Sequence, residues 1–212
     1  MIFHATALSS YSAKVRIVLC VKRVPYEERE PVHGYRSPEY RAVVPMGTLP
    51  AIQDGDWVLS ESEAINEYLE ERFPEPAMLP SDSRARAKVR FLSRFHDLHL
   101  EPLVRRLFAQ VRAAERDQAF LGQQRALIEA KLFQLSQLAP PSPWLAGSTI
   151  TLADCGFLVT LPLARQVLVV CGHDLTVPAA LQAWLSQSSS HPAVEHALAP
   201  WRAATASWLA GL

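Results

Sequence analysis

The chain has 212 residues, 49% hydrophobic and 20% charged, which is enough apolar material for one large or two small packed domains and excludes intrinsic disorder. Lys plus Arg and Asp plus Glu both number 21, so the formal charge is zero and no global bias draws the protein to nucleic acid or an anionic membrane. Three cysteines without CxxC spacing argue against a disulfide scaffold and for a reducing compartment.

In chain order, "MIFHA" is a short strand, and it carries no basic-then-apolar leader of the signal-peptide kind. A loop through Ser9 and Ser10 leads into helical spacing over residues 12–23, with Val15, Val18 and Leu19 on one face. "PYEEREP" is a second extended piece, and Ser37 before Pro38 starts a short helix across "SPEYRAVV". "LPAIQDGDWVLS" sets two apolar runs around Asp54-Gly55, the signal of a tight hairpin. "SESEAINEYLEERF" is a helix with Ser60 and Glu63 in capping-box register. The order is βαβαββα, and the proline-rich "PEPAMLPSDS" then reads as a linker.

After Ser83 every segment reads as helical. One long helix is expected over 84–113 and a second over 117–138. A loop through "PPSPWLAGST" precedes a buried helix from Thr151, kinked at Pro162, and shorter helices follow near 178–188 and 192–209. Thr151 and Asp154 have capping-box spacing, so Asp154 is expected to hold its own helix rather than do chemistry. His96, His99 and Glu101 do not share one helix face, so no metal site is expected. No run of about 18 apolar residues is visible, so no membrane span is expected, and the protein is expected in the cytoplasm. Charge is unevenly spread: residues 1–83 hold 8 basic and 13 acidic side chains, a net of −5, whereas 84–116 hold 9 and 3, a net of +6. That basic block suits a solvated helix face, an interface or a funnel for anions.

The stretch "SSYSAKVR" places three serines and a tyrosine at the mouth of an apolar helix. A helix cap needs one of them; a site in which a hydroxyl does chemistry would use another. Four motifs decide how these residues are read. "SSYSAKVRIVL" resembles the Ser-Ser-x-Ser-x-x-Val-Arg-Ile stretch of the zeta class of cytosolic glutathione transferases. "GTLPAI" is similar to that family's Val/Leu-Pro turn, "SESEAI" to its Glu-Ser-x-x-Ile element, and "STITLADCGF" to the motif that opens its buried C-terminal helix. The resemblance implies an α/β thioredoxin-like domain over residues 1–76, a linker over 77–83 and an all-α helical-bundle domain over 84–212.

It further implies glutathione as co-substrate and a small electrophile as its partner. Ser9 takes the position of the catalytic serine that stabilises the thiolate, assisted by the helix N-terminus, with Ser10 in reserve. Pro50 aligns with a proline preceded by a cis bond, which turns the backbone of Leu49 toward an extended peptide. Ser62 is assigned to the γ-glutamyl carboxylate and Glu61 to its ammonium. Tyr11, Phe91, Phe95 and Leu103 are expected to line the electrophile pocket, and Trp208 either packs over it or anchors the terminus. Tyr11 stands where the zeta class has Cys, which speaks against isomerisation of maleylacetoacetate. Val44 stands where relatives carry Asn. Gly47 replaces a side chain that contacts the glycine carboxylate in some classes, with His33 and Arg36 as substitutes. A homodimer is implied, its acidic first domain against the basic helix of the second. "YSAKVRIVL" and "ESEAINEYLEERFPEPAMLP" also resemble stringent starvation protein A, a non-catalytic regulator with this fold that binds RNA polymerase. That is the alternative reading, and retention on glutathione separates the two.

Overall fold

Alternation along the first strand sets up the layers of the first unit. In the computed structural model, which describes residues 1–211, β1 (Ile2–His4) buries Phe3 on one face of a sheet and His4 on the other. The sheet has four strands in the order β2-β1-β3-β4, with β2 (Glu27–Arg29), β3 (Ala51–Asp54) and β4 (Trp57–Ser60). β2 is parallel to β1, while β3 is antiparallel to it with Phe3 opposite Ile52. The β3–β4 hairpin turns at Gly55, whose φ of +65° suits a residue without Cβ.

The Ala51 face of the sheet is covered by α2 (Pro38–Val43), where Tyr40 and Val44 pack with Ala51, Leu49 and Val58. Ser37 caps α2 by accepting from the Tyr40 N–H at 3.2 Å. Two further helices, α1 (Ser10–Val21) and α3 (Ser62–Arg72), pack against each other. α1 starts at Ser10, earlier than the apolar spacing suggests, because Ser9 is its cap.

Their pairing is set by two buried lysines. Lys14, early in α1, lies 2.6 Å from Glu63, early in α3; Lys22, at the end of α1, lies 2.5 Å from Glu70, about two turns further along α3. The two helices therefore run parallel, N-terminus beside N-terminus. Lys22 also donates to the carbonyls of Phe73 and Pro76, and Glu70 accepts the Met78 N–H on both oxygens. Every hydrogen-bonding arm of this second pair is engaged, as a buried pair requires.

A second unit comprises Leu79–His191 and the chain from Thr205 on, while Pro192–Ala204 groups with the first unit. The expected long helix over 84–113 is instead broken: α4 (Ser83–Phe95), a π-turn (His96–Leu100), α5 (Glu101–Arg106) and α6 (Phe108–Val111). The cause is Pro102, which has no N–H and whose ring crowds the carbonyl one turn back. The wider π-turn absorbs the misfit, with the Glu101 N–H reaching back to the His96 carbonyl. α7 (Gln118–Leu138), α8 (Leu152–Val170), α9 (Ala179–Ser189) and α10 (Pro192–Ala210) complete the chain.

α8 is the core helix and continues through Pro162. By length and composition it could cross a membrane, but most of it is buried within the protein. Its capping box is formed: Asp154 accepts from Thr151 N–H and O–H, and also from the Leu145 N–H and the Trp184 Nε1. This carboxylate ties together the preceding loop, α8 and α9, and burial pushes its pKa up against those donors. His96 turns inward, its Nε2 2.7 Å from Thr160 Oγ1 and its Nδ1 2.7 Å from Asp97 Oδ1, with its ring edge-on to Phe157.

The His96 ring lies over Gly156 so closely that a Cβ there would sit 2.6 Å from Nδ1. Gly156→Ala should therefore lower stability by about 1–3 kcal/mol, because His96 is held by two hydrogen bonds and cannot retreat. Gly122→Ala in α7, where nothing lies within 4 Å, should leave stability unchanged or raise it by up to about 1 kcal/mol. Urea midpoints of the two variants check this; equal effects would contradict the packing account.

Candidate functional site

The parallel pairing of α1 and α3 brings two sets of unused backbone N–H groups, and two positive dipole ends, to the same edge of the first unit. An anion is stabilised there before any side chain is considered. The side chains at that edge are Ser9, Ser10, Tyr11 and Ser12 on α1, and Glu61, Ser62 and Glu63 on α3.

Ser9 is the N-cap of α1: its Oγ accepts the Ser12 N–H at 3.1 Å. The cap and a contact to a ligand are compatible, because a hydroxyl has two acceptor lone pairs and one proton. Accepting from Ser12 leaves the Ser9 O–H available as a donor. Ser10 is the first helical residue and is buried, with 8% of its surface exposed. Tyr11 is half-buried beside them. Ser12 Oγ is fully buried without a hydrogen-bond partner, a polar atom at the same helix end that the sequence did not single out.

On α3 the expected Ser60–Glu63 capping box is not formed. Ser60 is the last residue of β4 and its hydroxyl lies 3.3 Å from Met46 Sδ, while Glu63 is drawn to Lys14 on α1. The helix starts too late for that cap: Ser60 stays in the strand, and Glu63 pairs across to α1 instead. The N-cap is Glu61, exposed and without a side-chain capping bond. Its backbone has φ +76° and ψ 110°, a region that residues other than glycine rarely adopt. Such strain gathers where a chain must present particular groups. Ser62 follows, 7% exposed, as the first residue of α3.

The approach to β3 forms another edge of this unit. The Leu49–Pro50 bond is cis, and Tyr40 donates its hydroxyl to the Thr48 carbonyl at 3.0 Å. Burial pushes the Tyr40 pKa up, so it remains a phenol committed to that carbonyl. Gly47 has φ +59°, and a Cβ on it would meet Arg41 Nε at 2.8 Å and Arg41 Cγ at 3.1 Å. The exposed Arg41 thus lies over the position where a side chain at 47 would sit. The sequence signal was present in Gly47, but only packing links it to a residue six positions earlier. Of the two basic residues considered from sequence, Arg36 lies over the Tyr35 ring and His33 is exposed.

The expected pocket residues of the second unit sit on α4 and α5. Phe91 is 49% exposed, Phe95 is buried and Leu103 is half-buried. The Phe91 and Phe95 rings are 6.4 Å apart and His99 continues the stack at 5.6 Å, so the π-turn sends His96 inward and His99 outward. Trp208 packs edge-on to Phe108 at 5.5 Å, which anchors the end of α10.

Comparison with known proteins bears on this geometry. Residues 3–77 match the family model described as glutathione S-transferase, N-terminal domain. A glutathione S-transferase of Pseudomonas putida is 30% identical over 165 residues, covering 77% of this chain and 74% of the relative. A maleylacetoacetate isomerase of Pseudomonas aeruginosa is 31% identical, covering 89% of this chain and 91% of the relative. Among solved structures, a bacterial zeta-class maleyl pyruvate isomerase superposes with a TM-score of 0.80 at 30% identity, covering 94% of this chain and 97% of that one.

The strained turn at Glu61 gives a direct expectation. Glu61→Gly should stabilise the protein by about 1 kcal/mol relative to Glu61→Ala, because glycine adopts positive φ without steric cost. Thermal or urea unfolding of the two variants checks it, and equal stability would show that the turn stores no strain.

Proposed function

The chain belongs to the glutathione S-transferase family, and on that premise we propose that it binds glutathione across the paired N-termini of α1 and α3 and activates its thiol for attack on a small hydrophobic electrophile. It is a glutathione-dependent enzyme. The observation that carries the mechanism is the position of Ser9: a cap whose oxygen is satisfied by the Ser12 N–H and whose proton is left over, at a positive helix end. A free thiol ionises above neutral pH. The Ser9 O–H and the α1 dipole both favour the charged sulfur over the neutral one, which lowers that pKa.

The other assignments follow the same edge. The backbone of Leu49 pairs with the ligand's peptide as an added strand. Ser62 and the first N–H groups of α3 take the γ-glutamyl carboxylate, and Glu61 takes the ammonium. Arg41, over Gly47, supplies the cation for the glycine carboxylate in place of a side chain at 47. Tyr11 on the first unit, and Phe91, Phe95 and Leu103 on the second, are each offered as apolar surface for the electrophile. A thiolate held this way can serve conjugation, isomerisation, dehalogenation or peroxide reduction, and Tyr11 is the residue that speaks against zeta-class isomerisation. Three free cysteines fit a cytoplasmic enzyme.

We also read the protein as a homodimer. The net of −5 over residues 1–83 can face the net of +6 over 84–116 across a two-fold axis, and α4 exposes Arg84, Lys88 and Arg94. Sedimentation should show a dimer whose dissociation constant rises with salt; a monomer at micromolar concentration in low salt would refute this.

Titration of thiolate absorbance in the glutathione complex tests the mechanism. Ser9→Ala should raise the pKa of the bound thiol by about one to two units, the equivalent of one charge-assisted hydrogen bond, and slow turnover roughly 10- to 100-fold near neutral pH. Ser10→Ala should move the midpoint little. Arg41→Ala should do the converse, weakening glutathione roughly tenfold or more while leaving the thiol midpoint in place. An unmoved midpoint in Ser9→Ala removes that residue from the mechanism. Absence of glutathione binding by the parent would favour the non-catalytic alternative, a regulator like stringent starvation protein A.

A further inference from the structure

Two buried ion pairs join α1 to α3, and they are built differently. Glu70, at the far end, has hydrogen-bond donors on both oxygens, and Lys22 spreads its protons over two carbonyls as well. That pair is a clamp, and its network explains it. Glu63, at the ligand end, has no hydrogen-bond donor on either carboxylate oxygen. Lys14 Nζ lies 2.6 Å from Oε2, so it sets a positive charge directly against that carboxylate. The Lys14 side chain is 1% exposed and that of Glu63 17%, so water screens this pair little.

Glu63 is the residue after Ser62, and its carboxylate sits at the end of α3 whose field draws an anion. Left alone, that carboxylate would repel an anionic ligand across one turn of helix. At such separations, with an effective dielectric constant near 20, one uncompensated charge changes an anion's affinity by about tenfold or more.

We propose that Lys14 is a positioning residue that neutralises Glu63, so that the balance of these two buried charges sets how strongly the α3 N-terminus holds the carboxylate of glutathione. The proposal rests on the reading that glutathione binds at this edge. It makes Glu63 an adjustable antagonist of the ligand and Lys14 the switch that silences it.

The sign of the effects separates this from a structural clamp. Glutathione affinity is measured by calorimetry on the full chain for Lys14→Met, Glu63→Gln, the double variant and Lys14→Arg. Lys14→Met should weaken binding by about tenfold, because a bare carboxylate then faces the ligand. Glu63→Gln should bind at least as tightly as the parent. The double variant should return to within about threefold of the parent, and Lys14→Arg, which keeps the charge, should bind like it. A clamp predicts instead that both single variants weaken binding and that the double variant is no better than either. That result overturns the proposal, as does Lys14→Met binding like the parent. If Lys14→Met does not fold, Glu63→Gln and the double variant still decide: weaker binding by Glu63→Gln, or binding weakened more than about threefold in the double variant, overturns it. A parent that does not bind glutathione overturns the site reading and the proposal together, whereas a binding parent with single variants of the same sign overturns the proposal alone.

Discussion

The parallel apposition of α1 and α3 is the constraint on which the rest of the first unit depends. Helix dipoles repel when they lie side by side in the same direction, so something must hold these two together. The apolar faces contribute most, with Val15, Ile17, Val18, Ile65 and Leu69 all buried. The two lysine–glutamate contacts fix the register, because an uncompensated charge buried by a slip would cost several kcal/mol. With the register fixed, two half-positive helix ends have no choice but to share an edge. Repulsion between them is relieved by an anion, and an enzyme that needs a thiolate and a carboxylate bound can use both ends.

The second unit uses the same kinds of polar group for a different purpose. Thr160, His96 and Asp97 are hydrogen-bonded in a row that resembles a proton relay, yet His96 and Thr160 are 2% and 1% exposed. No substrate reaches them as they stand. They seat the π-turn against α8 through Gly156, and the same turn leaves His99 on the outer face beside Phe95, with Phe91 next in the row. Asp154 works likewise, drawing loop, α8 and α9 to one carboxylate. Burying a charge is justified here because four donors converge on it.

Much of this was legible wherever a signal is local. Ser37-Pro38, Asp54-Gly55 and Thr151 with Asp154 each specify their turn or cap within a few residues, and each forms as the spacing suggests. Apart from the break at Pro102, the departures share one cause. Ser60 and Glu63 have the capping-box spacing, but Glu63 goes to Lys14, 49 positions earlier in the chain, and no local pattern reports that competition. Pro102 was visible inside the expected 84–113 helix, and its missing N–H should have predicted the break. Arg41 over Gly47 needed the packed loop. For the candidate site, the motifs pointed to residues; the shared edge on which those residues stand came only with the parallel helices.

The central claim is that both helix ends act on one ligand, and backbone amide shifts on addition of glutathione test it most directly. The account predicts that the largest shifts fall together on the amides of Ser10 and Tyr11 at the start of α1 and of Ser62 and Glu63 at the start of α3, all with one dissociation constant. Shifts confined to one helix, or fitting two different constants at the two helices, would contradict it.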